Sequence, residues 1–121
     1  MSVANGEWNG DVVRHWLERR IAAAQADQVR ADRMGRDYED DYDKAAAEEW
    51  VCQQAQRHPS TGDQAEFGKY LKGLLDRDEY NRTGVHSERR FEREVKACLR
   101  KLMKMTKANE GFANTSHFQK G

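Results

Sequence analysis

The chain has one proline, Pro59, so almost nothing along its 121 residues forbids a helix. Isoleucine occurs once, and the residues that favour strands never alternate with polar ones over a strand's length. That excludes a sheet built on the usual period of two. No apolar run approaches the roughly 18 residues that cross a bilayer. The first residues lack the basic region and apolar stretch of a secretory signal. The expectation is a soluble intracellular protein, free or bound to a larger assembly. Two cysteines, Cys52 and Cys98, stand 46 positions apart and match no metal or redox spacing. Reduced thiols are the default, with a helix–helix disulfide left open.

Large apolar side chains are also scarce. Leu, Ile, Val and Phe supply 18 of 121 residues, below the roughly 20% at which disorder becomes a serious alternative. The other mark of disorder, a large net charge, is missing, because 21 basic residues balance 21 acidic ones. Three tryptophans and four tyrosines also speak for a folded chain. These counts describe a helical protein that buries little apolar surface by itself. Such a chain finishes its core against a copy of itself or a protein partner.

What is present points to helix. Fourteen alanines stand among many Glu, Lys, Arg, Gln and Leu, residues that lose little rotamer freedom in that conformation. The fold class is all-α, a three- or four-helix array in one domain with a C-terminal antiparallel helical hairpin. Residues 1–9 and 110–121 read as tails around a helical domain at 10–109. Its helices are expected at about 11–34, 38–57, 64–78 and 88–108. Asp11 is the expected cap of the first, whose apolar side carries Val13, Trp16, Leu17, Ile21 and Ala24. Gly35 breaks it, with one long helix over 11–57 as the alternative, and Asp37 is placed to cap the second. His58–Pro59 ends that second helix. Asp63 and Glu66 have the spacing of a capping box, and Gly68 and Gly73 are expected to admit another backbone. Ser87 is the expected cap of the last helix, where Phe91, Val95, Cys98, Leu99, Leu102 and Met105 share one side.

The balanced total charge hides a polarity. Residues 1–62 carry 8 basic and 12 acidic groups, and residues 63–121 carry 13 and 9. Opposite the apolar side of the last helix lie Arg89, Arg93, Lys96, Arg100, Lys104 and Lys107. Such a stripe suits an acidic protein groove or a row of phosphates. It also suits the solvated side of any amphipathic helix, with cations placed well for the macrodipole. Trp8, in a polar tail, has the character of an anchor for a partner's pocket, and Trp50 belongs to a helix with apolar groups on several sides. The acidic run from Asp37 to Asp43 approximates the ligand spacing of a calcium loop. It fails at the sixth position, where Tyr42 replaces the glycine of the sharp turn. Acids in the first turn of a helix explain the run equally well.

No histidine lies within four residues of another histidine or a cysteine, and no phosphate loop, nucleophile elbow or metalloprotease motif is present. The reading is therefore a non-catalytic interaction protein that uses no cofactor or metal. It would be an accessory, adaptor or inhibitor subunit completing its core on a larger protein assembly, or a homo-oligomer. Its candidate contact residues are Trp8, Trp50, Arg89, Arg93, Lys96, Arg100, Lys104 and Lys107. The alternative is a nucleic-acid-associated protein, or a regulator of a nucleic-acid machine, using the basic face. An enzyme ranks third.

Overall fold

Among the described residues, polar side chains set two helix starts, and a glycine and the one proline mark two stops. A computed structural model describes residues 7–35, 39–76 and 88–112. They form α1 (Gly10–Met34), α2 (Glu39–Arg57), a 3-10 turn (Pro59–Gly62), α3 (Gln64–Asp76) and α4 (Glu88–Ala108), with no strand among them.

The cap of α1 is Asn9, whose Oδ1 accepts from the backbone N–H groups of Asp11 (2.9 Å) and Val12 (3.3 Å). Asp11, expected in that role, lies inside the first turn and pairs with Arg14. The reason is geometric: Asn9 has extended backbone and the chain turns helical at Gly10, so only Asn9 faces the free N–H groups. α1 ends at Gly35, whose φ of 91° favours glycine. Asp37 and Ser87 lie outside the described residues. α2 runs back along α1, with Arg20 reaching Glu48 (2.9 Å) and Gln28 reaching Glu49 (2.7 Å). One continuous helix over 11–57 is thereby excluded.

His58 leaves the helical region before Pro59, as the ring of a following proline requires. Its Nδ1 accepts from the Ser60 N–H, and its ring stacks on Tyr70 at 3.8 Å. The Tyr70 hydroxyl donates in turn to the Gln54 carbonyl (3.1 Å), so the turn is held from both of its helices. Asp63 caps α3 through the Glu66 N–H (3.1 Å). Only half of the capping box forms, because the Asp63 N–H is already bound to the Ser60 carbonyl and the Glu66 carboxylate faces Lys69. α3 and α4 are antiparallel, with Gln64 Nε2 donating to the Thr106 carbonyl (2.7 Å) at the start of one and the end of the other. α4 runs parallel to α2, since Arg90 near its start meets Asp40 and Asp43 near the start of α2. The array is up-down-up-down.

The core draws on all four helices, including Leu17, Val51, Phe67, Leu71, Val95, Leu99 and Leu102. It is fuller than the aliphatic count implied, for two reasons. Ala24, Ala31, Ala45, Ala46, Ala47 and Ala55 are buried on α1 and α2, where small side chains allow close helix approach. Both ends of the described chain also fold inward. α4 closes in a reverse cap, with the Glu110 N–H bound to the Met105 carbonyl and Asn109 at φ 50°. That reversal delivers Phe112 to the core, where it meets Trp8 (5.7 Å) and Trp16 (5.2 Å) edge-on. Among the described residues, Val29 and Met34 are the exposed large hydrophobics, both near the end of α1.

Two backbones do approach closely, but not at Gly68, where an added Cβ would meet only Thr106 Cγ2 at 4.0 Å. The contact is at Gly10, where a Cβ would lie 2.9 Å from Gly62 Cα and 3.0 Å from the Thr61 carbonyl oxygen. The two glycines therefore predict opposite signs. Gly10→Ala should lower unfolding stability by about 1–3 kcal/mol, the range for overpacking against backbone. Gly68→Ala should raise it by up to about 1 kcal/mol, the helix-propensity difference. Denaturant titrations of the two variants check both.

Candidate interaction surface

α4 divides its circumference between a buried and a charged side. Phe91, Val95, Leu99, Leu102 and Thr106 are buried, and the Thr106 hydroxyl satisfies itself on the Leu102 carbonyl (2.7 Å). On the other side Arg93, Arg100, Lys104 and Lys107 are exposed and make no ion pair among the described residues. Lys96, also on that side, is half-buried and pairs with Glu92 (3.0 Å). The backbone of Arg89 is helical, while its side chain lies outside the described residues.

Arg90 behaves differently from its basic neighbours. Its Nε donates to Asp40 (2.8 Å) and its Nη1 faces Asp43 (3.3 Å), a buried carboxylate. The periodicity of the cationic stripe leaves Arg90 out. The signal that marks it is its place next to Phe91 at the margin of the apolar side. The acidic run is helical from Glu39 onward, so its carboxylates are not gathered in a loop. Glu48, five residues beyond that run, accepts two hydrogen bonds from Arg20 (2.9 and 3.0 Å). This pairing holds the Arg20 guanidinium above its usual pKa. Part of the negative half is thus consumed within the chain, while much of the cationic face of α4 is not.

The outer seam between α3 and α4 is an open furrow of about 600 Å³, lined by Gln64, Ala65, Gly68, Met103 and Thr106. Lys104 and Lys107 border it and belong also to the cationic face. The small side chain of Ala65 and the lack of one at Gly68 are what leave the furrow open. A second groove of about 480 Å³ between α1 and α2 is lined by charges of both signs, among them Arg30, Asp27, Lys44 and Asp41. It has no single electrostatic character.

The two tryptophans expected to contact a partner both make contacts within their own chain. Trp8 is half-buried, its Nε1 donates to the Thr61 carbonyl (2.7 Å), and its ring leans on Phe67 (5.8 Å). Trp50 is half-buried against the core. Among the described residues, no group of three or more His, Cys, Asp or Glu gathers as metal ligands. His15 is exposed beside Glu18, His58 holds the turn, and His86 and His117 lie outside the described residues. No described helix is long and apolar enough to cross a membrane. No protein-family model, curated protein or solved structure matches the chain.

The contrast between Arg90 and the outward cations is measurable. Arg90→Gln should cost about 1–3 kcal/mol, because it removes a charged partner from the buried Asp43. Arg93→Gln and Arg100→Gln should stay within about 0.5 kcal/mol of the parent, as exposed substitutions do. Thermal unfolding of the three variants decides it.

Proposed function

We propose that this chain is a small non-catalytic interaction protein, an accessory, adaptor or inhibitor subunit that docks on an acidic protein surface. The observation that carries this reading is the furrow of Ala65, Gly68 and Met103 bordered by Lys104 and Lys107. An apolar floor beside a positive rim suits a segment that alternates apolar and acidic side chains. Arg93 and Arg100 extend the positive rim along α4. The partner is not required to complete the hydrophobic core, because Trp8 and Phe112 close it from within the chain. Binding therefore uses the outer faces of α3 and α4 and leaves the bundle intact.

A second reading takes the same cations as a phosphate track. Arg93, Arg100, Lys104 and Lys107 span roughly 20 Å of helix at 1.5 Å per residue, room for several phosphates. Glu92 lies in the same groove as Arg93, Lys96 and Arg100 and weakens that field.

Two variants separate the readings. Gly68→Met fills the furrow while leaving every charge in place, and reversal of Arg93, Arg100, Lys104 and Lys107 to Glu leaves the furrow's floor in place. Circular dichroism should show both folded. The expected result is that proteins recovered with wild type are lost with Gly68→Met, and that reversal slows association more than it speeds dissociation. Random-sequence duplex DNA and single-stranded RNA should bind no tighter than about 10⁻⁴–10⁻⁶ M near physiological salt. Nanomolar nucleic-acid binding, unaffected by Gly68→Met and abolished by the reversal, would instead establish the phosphate track.

A further inference from the structure

The chain's two cysteines, 46 positions apart in sequence, border the same core cluster from neighbouring helices. α2 and α4 run parallel and are registered by Arg90 with Asp40 and Asp43. Cys52 lies nine residues beyond Asp43, and Cys98 lies eight beyond Arg90, which brings both to the same level of the α2–α4 seam. Cys52 is 1% exposed, within the core cluster, and Cys98 is half-buried and packs against that cluster. The Cys98 side chain is the neighbour that acts most strongly on Cys52, holding it in its thiol form. Helix-bundle packing alone has no need of this, since alanine or valine fills such positions without a polar hydrogen.

We infer that Cys52 and Cys98 form a thiol-modification site, in which a small disulfide oxidant converts the facing thiols to a cross-link between α2 and α4. The roles follow from exposure. Cys98 reaches solvent, so its thiolate attacks a sulfur of glutathione disulfide, forming a mixed disulfide and releasing one glutathione. Cys52, inside, then attacks the Cys98 sulfur and releases the second glutathione. Two thiols lose two protons and two electrons in all, and the oxidant's disulfide is reduced to two thiols. The Cys98 thiol and burial together raise the Cys52 pKa, and burial still disfavours its thiolate after Cys98 has reacted, which makes the second step the slow one. This chemistry is independent of the docking surface, which faces outward from α3 and α4.

The experiment incubates the reduced full chain, folded, with glutathione disulfide, quenches with acid and reads intact mass and melting temperature. The expected product has lost two hydrogens, carries no glutathione, and melts about 10 °C or more above the dithiol form, as closing a loop of this length implies. Cys52→Ser should stop at a stable Cys98–glutathione adduct, and Cys98→Ser should remain unmodified while folded. Melting of each reduced variant checks that it is folded. If a variant does not fold, the wild-type mass and melting shift still decide the matter. A wild-type chain that stays a dithiol in excess oxidant, accumulates the adduct without closing, or closes only in denaturant would overturn the inference.

Discussion

The fold depends most on one buried threonine in the turn between α2 and α3. Thr61 is fully buried, its carbonyl accepts from the Trp8 indole, and its hydroxyl oxygen accepts from Arg14 Nη1 (2.7 Å). Each such bond contributes only about 1 kcal/mol net, but leaving a buried partner unsatisfied costs about 1–3. The start of α1 is therefore tied to the one place where the chain reverses from α2 into α3. The contact between Gly10 and Gly62 brings the backbones close enough for both bonds to form. Once that end is fixed, Trp8 lies on Phe67, and Phe112 fits between Trp8 and Trp16. Asn109 completes the closure by donating to the Glu7 carbonyl (3.0 Å), which joins the end of α4 to the segment before α1.

The opposite end is built differently. There the α1–α2 seam relies on buried alanines and on polar contacts such as Arg20 with Glu48 and Gln25 with Glu49. Alanine contributes little buried area but lets the helices approach closely, so dispersion contacts compensate for side-chain size. Val29 and Met34 remain exposed at this end. Among the described residues, the molecule thus has an aromatic end held by the segments before α1 and after α4, and an alanine-rich end held by contact between helices.

Charge is distributed by the same logic. Arg90 draws α4 onto the acidic start of α2, and Glu48 is taken by Arg20. Arg93, Arg100, Lys104 and Lys107 face away from these acids because α4 can bury only one side. An evenly balanced sequence thereby presents an unevenly charged surface. The furrow beside that surface exists because Ala65 and Gly68 on α3 are too small to fill it.

Local patterning determined the helices. The apolar periodicity of α1, α3 and α4, the stop at His58–Pro59 and the glycine break at Gly35 are properties of short segments, and each matches the structure. The cationic face of α4 was legible for the same reason, because 100° per residue places its members without knowledge of any neighbour. Only tertiary structure decided how the helices meet. The cap of α1 moved to Asn9 because a cap depends on where the backbone turns. The close glycine proved to be Gly10 because its partner, Gly62, is 52 residues away. Trp8 turned inward, Arg90, outside the stripe, paired with Asp43, and Cys52 and Cys98 came to border one core cluster. Each of these contacts joins distant segments. Periodicity assigns a side chain to one face of its helix, and which helix covers that face is settled only when the bundle closes.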